Sequence, residues 1–159
     1  MIELSLMEFF SLIMSESAED TMLVGELMTK DIVRVESETS VREVVVLMQS
    51  HDTGVVPVCN KGHVIGIITD RDIVLRLLVD GTSIADELAE SIMTSKVVTC
   101  HPDQTVNEIA AIMGDHQIRR LPVINHDNVV VGMVTVGDIA RDASEYVAGE
   151  AFGEIVEER

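Results

Sequence analysis

Apolar residues recur at steps of three and four in Val41, Val44, Val45 and Met48, and again in Val106, Ile109, Ala110 and Met113. That spacing is the stripe an amphipathic helix turns toward a core. Each stripe opens on a capping-box pattern, Ser40-Val41-Arg42-Glu43 and Thr105-Val106-Asn107-Glu108, in which the hydroxyl accepts from an orphan N–H and the Glu reaches back. The helices are expected to end near His51 and His116. Ahead of them, the β-branched runs DIVRV and KVVTC predict short strands. After them come VVPVCN with VIGIIT, and RLPVIN with VVVGMVT, joined by Lys61-Gly62 or His126-Asp127-Asn128. Each pair predicts a β-hairpin, with Pro57 or Pro122 near an edge or end. Beyond Thr69 and Thr135 the pattern turns helical, as RDIVLRLLVD and GDIARDASEYV.

The order strand, helix, strand, strand, helix is therefore written twice. Sliding the chain on itself by 65 positions pairs residues 28–61 with 93–126, and ten of the 34 pairs are identical, where about two are expected by chance. One extra residue in the turn of the second copy moves the offset to 66, after which Gly66, Thr69, Asp72 and Ile73 match Gly132, Thr135, Asp138 and Ile139. Two copies are too few for a solenoid, so two half-modules burying a shared face are expected. The boundaries read as an N-terminal extension over 1–23, repeats over 24–79 and 88–143, a polar linker over 80–87 and an acidic, helix-prone tail over 144–159.

Composition narrows the function. With 159 residues and 47% hydrophobic content the chain can bury a core. A formal net charge of −17 argues against binding a nucleic acid polymer or an anionic membrane, since both need a basic face. Cys59 and Cys100 form no C-x-x-C and read as buried thiols, which suits a reducing, cytoplasmic setting. The opening run MIELSLMEFFSLIM carries Glu3 and Glu8 where a leader would carry Lys or Arg, and it is too short to span a bilayer. It is either an appended helix or lies upstream of a start at Met14. The five histidines show no metal-ligand spacing, and no nucleophile elbow or P-loop is present, so neither a metal centre nor an enzyme is expected.

The doubled Gly-x-x-Thr-x-x-Asp-Ile has a local explanation, with Thr as N-cap and Asp three residues on. The same atoms suit a nucleotide, because a strand-to-helix turn offers N–H and hydroxyl groups to a phosphate and a fixed carboxylate accepts from a ribose. Together with LMTKDIVRVESETSVREVVVLM, TGVVPVCNKGHVIGIITDRDI, IMTSKVVTCHPDQTVNEIAAIM and HQIRRLPVINHDNVVVGMVTVGDI, these residues resemble a tandem pair of cystathionine-β-synthase (CBS) domains, a Bateman module. The resemblance implies an α+β fold of two β-α-β-β-α repeats related by a pseudo-twofold and packed through their sheets, with two clefts for adenine nucleotides. It puts Asp72 and Asp138 on ribose hydroxyls, and Thr69 and Thr135 near ribose or phosphate. It puts Ile32, Val33, Val97 and Val98 at the adenine, and Val56, Pro57, Leu121 and Pro122 along the apolar wall.

The copies differ in charge. Arg119-Arg120 stand where the first copy has Gly54-Val55, and Arg71 stands where the second has Gly137. By resemblance these arginines face phosphates, and the cleft with Arg119, Arg120, Thr135 and Asp138 is the one expected to hold AMP, ADP or ATP. S-adenosylmethionine is the alternative ligand, better suited to the first copy, and an empty dimerisation scaffold is the alternative role. The resemblance further implies a homodimer meeting through helical faces and a regulated partner in trans.

Overall fold

The structure, a computed structural model, describes residues 22–78, 84, 87–143 and 145–156. The N-terminal run, most of the 80–87 linker and the last residues of the tail lie outside these. The chain divides into two compact units: Lys30–Thr99 with Ile124–Gly132, and the segment up to Thr29 with Cys100–Val123 and the chain from Met133 on. They are called here the Asp72 unit and the Asp138 unit.

The elements are α1 (Val24–Leu27), β1 (Val35–Glu36), α2 (Val41–Ser50), β2 (Val55–Asn60), β3 (His63–Thr69), α3 (Asp70–Ile73) with a π-helical turn (Val74–Leu78), α4 (Ala89–Ile92), α5 (Val106–Asp115), β4 (Arg120–Ile124), β5 (Val130–Thr135), α6 (Val136–Asp142) and α7 (Glu145–Val156). In the Asp72 unit β2 is the middle strand, parallel to β1 and antiparallel to β3. Lys61 and Gly62, both at positive φ (52° and 86°), make the two-residue turn whose twist suits a hairpin. Of the expected α2 stripe, Val41, Val44 and Met48 are buried with Val35, Val56, Val58, Ile68, Ile73 and Leu77, whereas Val45 lies at the edge of the buried face and is 37% exposed. On a second small core, Ile32 and Val64 pack against Cys59, Ile124 and Val130. Because β2 feeds both cores, Val55 to Cys59 are all buried and the strand reads as a continuous apolar run.

In the Asp138 unit the α5 stripe of Val106, Ile109, Ala110 and Met113 is buried as its spacing predicts. Both long helices start on the expected hydroxyl, Ser40 accepting from the Glu43 N–H (3.2 Å) and Thr105 from the Glu108 N–H (3.3 Å). The reciprocal bond closes at Thr105, whose N–H donates to the Glu108 carboxylate (2.7 Å). Both end in the same way. His51 and His116 are the C-caps, Asp52 and Gln117 follow at positive φ, and the next N–H groups, of Thr53 and Ile118, donate to the carbonyls of Met48 and Met113 (3.0 and 2.9 Å).

Three further expectations need correction. Of DIVRV only Val35 joins a ladder, and of KVVTC only Cys100 does, as a parallel bridge to Val123. The reason is the proline on the facing strand. Pro57 and Pro122 have no N–H to give, so the parallel pairing stops at Val58 in one copy and shrinks to a single bridge in the other. Consequently Pro57 lies in the middle strand and not at an edge. The helix after Thr69 widens to a π turn at Val74–Leu78, for which neither Gly nor Pro is responsible. The helix-prone tail is indeed a helix over Glu145–Val156, and it packs on α5 and α6 and buries Ala148 and Ala151.

The compact units also cut across the sequence repeats. The opening of the first copy docks in the Asp138 unit, where the Val24 and Gly25 N–H groups donate to Gln104 and Pro102 and Thr29 exchanges two 2.9 Å bonds with Met133. Likewise the opening of the second copy docks in the Asp72 unit. There the Ala89 and Glu90 N–H groups donate to Thr39 and Ser37, and Thr94 exchanges bonds of 2.9 and 3.1 Å with Ile67.

Candidate functional site: two threonine–aspartate turns

Each hairpin ends at a threonine that caps the next helix. In the Asp72 unit the Thr69 N–H and hydroxyl both donate to Asp72 Oδ2 (2.9 and 2.7 Å), and the Asp72 N–H donates back to Thr69 Oγ1 (3.2 Å). In the Asp138 unit the Thr135 N–H and hydroxyl donate to Asp138 Oδ2 (2.9 and 2.8 Å), and the Asp138 N–H donates to Thr135 Oγ1 (3.1 Å). A cap of this kind stabilises a helix start by about 1 kcal/mol. It also fixes the carboxylate rotamer, with Oδ1 as the oxygen outside the cap.

Oδ1 is held by an arginine in both turns, and neither arginine was marked by the repeat motif. Arg76 Nη2 lies 3.0 Å from Asp72 Oδ1, and Arg141 Nη2 lies 2.8 Å from Asp138 Oδ1. Both are one helical turn on from the Asp, at i+4 and i+3, a spacing visible in sequence. The Arg76 guanidinium goes further, with Nη1 donating to the Ile92 carbonyl and Nη2 to Thr94 Oγ1 (2.9 Å). Among the described residues Arg141 bonds only Asp142 and Asp138, and these two carboxylates raise its pKa above the ordinary arginine value. Thr94 had one signal in the sequence: Met93-Thr94 is the duplicate of Met28-Thr29.

The motif glycine has a packing role. A Cβ on Gly66 would sit 2.3 Å from Met93 Sδ, so only glycine lets the 92–94 segment lie flat on β3.

The turn's other wall differs between the units. The Arg119 carbonyl accepts from the Val136 N–H (3.1 Å), which sets Arg119 against the start of α6. At the equivalent place the Gly54 carbonyl accepts from the Asp70 N–H (3.1 Å), and a Cβ on Gly54 would meet Asp70 Oδ2 at 2.9 Å. The backbone thus brings Arg119 and the adjoining Arg120 to the end of the Asp138 turn, whose own helix carries Arg141, Asp138 and Asp142. Around Asp72 stand Arg71 and Arg76 against Asp70 and Asp72. Arg71, Arg119 and Arg120 are exposed, and among the described residues none has a side-chain hydrogen bond or ion pair. Asp138 is the one buried charged residue among those described, at 7% exposure.

The remaining sequence candidates divide between the units. Ile32, Val33, Val56, Pro57, Thr69, Arg71 and Asp72 fall in the Asp72 unit, as do Val97 and Val98 of the second copy's opening. Arg119, Arg120, Leu121, Pro122, Thr135 and Asp138 fall in the Asp138 unit. Val56 and Leu121 have no exposed surface and back their sheets from inside. Ile32, Val33, Val97 and Val98 are half-buried. The cysteines are free and buried, with burial raising both thiols and pushing Cys100 up to about 12. Among the described residues no group of three or more His, Cys, Asp or Glu could hold a metal, and no helix is long and apolar enough to cross a membrane.

Comparison with known proteins places this geometry. The CBS domain family profile matches residues 24–79 and 89–145. The chain is 34% identical over 133 residues to the CBS domain-containing protein YhcV of Bacillus subtilis, covering 83% of this chain and 94% of that protein. Among solved structures it is similar to the CBS domain pair of protein MJ0100 in complex with 5′-methylthioadenosine and S-adenosyl-L-methionine, with a TM-score of 0.68 at 32% identity, covering 76% of this chain and 94% of that one. It is also similar to Hypoxic Response Protein I with two coordinated zinc ions, with a TM-score of 0.70 at 29% identity over 76% of this chain and 98% of that one. With its twice-written strand, helix, strand, strand, helix order on a mixed α+β frame, the chain belongs to the CBS-domain family, as a tandem CBS pair and hence as a ligand-binding regulatory module.

Proposed function

We propose that the protein senses an adenosine-containing ligand and relays its occupancy to a partner in trans, with AMP, ADP or ATP held at the Asp138 turn. The observation that carries this reading is the pair of exposed arginines, Arg119 and Arg120, without ion-pair partners among the described residues, anchored by the Arg119 carbonyl to the helix that carries Asp138. A chain of net charge −17 repels a polyphosphate, and uncommitted guanidinium groups are what offsets that field locally. Asp138 would take the ribose hydroxyls through Oδ1, its other oxygen being spent on the cap.

A second reading belongs to the Asp72 turn. Its rim balances two arginines with two aspartates, which suits a ligand without phosphates such as S-adenosylmethionine. The related MJ0100 pair, with S-adenosyl-L-methionine and 5′-methylthioadenosine bound, supports this choice. A homodimer completes the proposal, with the exposed Val45 and Val46 of α2 and Val74 and Leu75 of the π turn covered by a second copy. Titrating the full chain with AMP, ADP, ATP and S-adenosylmethionine by calorimetry tests the reading. Heat from a nucleotide that disappears in Arg119→Ala/Arg120→Ala is the expected result. No heat and no melting shift from any of the four at millimolar concentration would overturn it.

A further inference from the structure

A vicinal diol bound by one carboxylate needs two open acceptor positions, and Asp72 offers one. Each carboxylate oxygen accepts about two hydrogen bonds. Oδ2 is filled by the Thr69 N–H and hydroxyl, and Oδ1 already accepts from Arg76. Both ribose hydroxyls can therefore be met only if Arg76 leaves. Its departure has a structural consequence, because the same guanidinium donates to the Ile92 carbonyl and to Thr94 Oγ1. Those residues belong to the opening segment of the second copy, which lies on β3 through the Thr94–Ile67 bonds and through Met93 over Gly66.

We propose that Arg76 is a latch: a ribose at Asp72 displaces it and loosens segment 92–94 from β3, so that occupancy of this site is converted into movement of the second copy's opening segment. This rests on the ribose reading of Asp72 given above. The Asp138 turn has no such latch. At the offset of 66 the residue equivalent to Arg76 is Asp142, and among the described residues Arg141 bonds only neighbouring carboxylates on its own helix. Its side chain is 65% exposed against 41% for Arg76, so it can turn to solvent without loosening any other segment.

Hydrogen–deuterium exchange on the full chain tests the latch, with Asp138→Asn as background so that only the Asp72 site titrates. The probes are adenosine, which carries the diol, and 2′,3′-dideoxyadenosine, which lacks it. Without any probe, Arg76→Ala should speed exchange across 89–96 by about threefold to fivefold, the range of an exposed ion pair. Adenosine should produce the same loosening when Arg76 is intact and no further change in Arg76→Ala, which should bind it about threefold more tightly. Dideoxyadenosine should leave the segment unchanged. Arg76→Lys, which keeps the charge but cannot reach all three acceptors, should fall between and guards against a misfolded alanine variant. Unchanged exchange at 89–96 in probe-free Arg76→Ala and Arg76→Lys overturns the latch while leaving the ribose site intact. Weaker adenosine binding in Arg76→Ala also overturns it, since Arg76 would then be a ligand contact. Absence of adenosine binding with Arg76 intact overturns the ribose reading of Asp72 and the release step with it.

Discussion

The Asp72 and Asp138 turns agree bond for bond in their caps and differ in what holds the carboxylate's second oxygen. Duplication kept the Thr and Asp, whose cap is local and self-contained. It did not keep the arginine in register: Arg76 aligns with Asp142, and Arg141 aligns with Leu75. In one unit the arginine ties the carboxylate to Ile92 and Thr94, and in the other it ties the carboxylate to a neighbouring aspartate. Electrostatics diverged as well, because Gly54 and Asp70 occupy one rim where Arg119 and Val136 occupy the other. A repeated fold can thus carry two turns that share a cap and differ in charge and in what their arginines tie together, since the residues that set those properties lie outside the part that caps the helix.

The comparison presumes that both units rest on comparable cores, and core truncation would break it most severely. Ile68 and Ile109 have no exposed surface, one in each unit. Ile68→Ala and Ile109→Ala should each cost about 2–5 kcal/mol in urea unfolding. A cost below about 1 kcal/mol in either variant would show that its unit is not packed as described.

A smaller effect separates the units by pH. Cys100 of the Asp138 unit occupies the place of Val35 in the Asp72 unit, and burial pushes its thiol from 9.0 up to about 12. The folded state keeps the proton that the unfolded chain gives up, so the stabilisation is complete below about pH 9 and is lost as pH rises toward 12. Melting temperatures measured from pH 8 to 11 should fall more steeply for the native chain than for Cys100→Ala. Parallel curves would remove the buried-thiol assignment.

Much of this was legible in the sequence because it is local. The stripes Val41–Met48 and Val106–Met113, the capping residues and the turn at Lys61-Gly62 depend on neighbours within a few positions. The first strands were not legible, because DIVRV and KVVTC have strand composition while their ladders are limited by prolines on a distant strand. Nor was the docking of Thr29 on Met133 and of Thr94 on Ile67, since nothing local distinguishes a segment that folds onto its own repeat from one that folds onto the other. Arg71, Arg119 and Arg120 stood out as charge differences between copies. Arg76 does not stand out, for the opposite reason: it lies on the expected helix, and its tertiary partners at 92 and 94 are separated from it by the linker.

The central claim is that the two turns take different ligands. Calorimetry with ATP and with S-adenosylmethionine on Asp72→Asn and Asp138→Asn tests it directly, because each substitution removes one carboxylate charge and spares the other site. Losing a charge-assisted hydrogen bond should weaken the affected ligand by about tenfold to a hundredfold. ATP binding should fall in Asp138→Asn and persist in Asp72→Asn, with S-adenosylmethionine showing the reverse. If both variants lost the same ligand equally, the two turns would be duplicate sites and the account would be wrong.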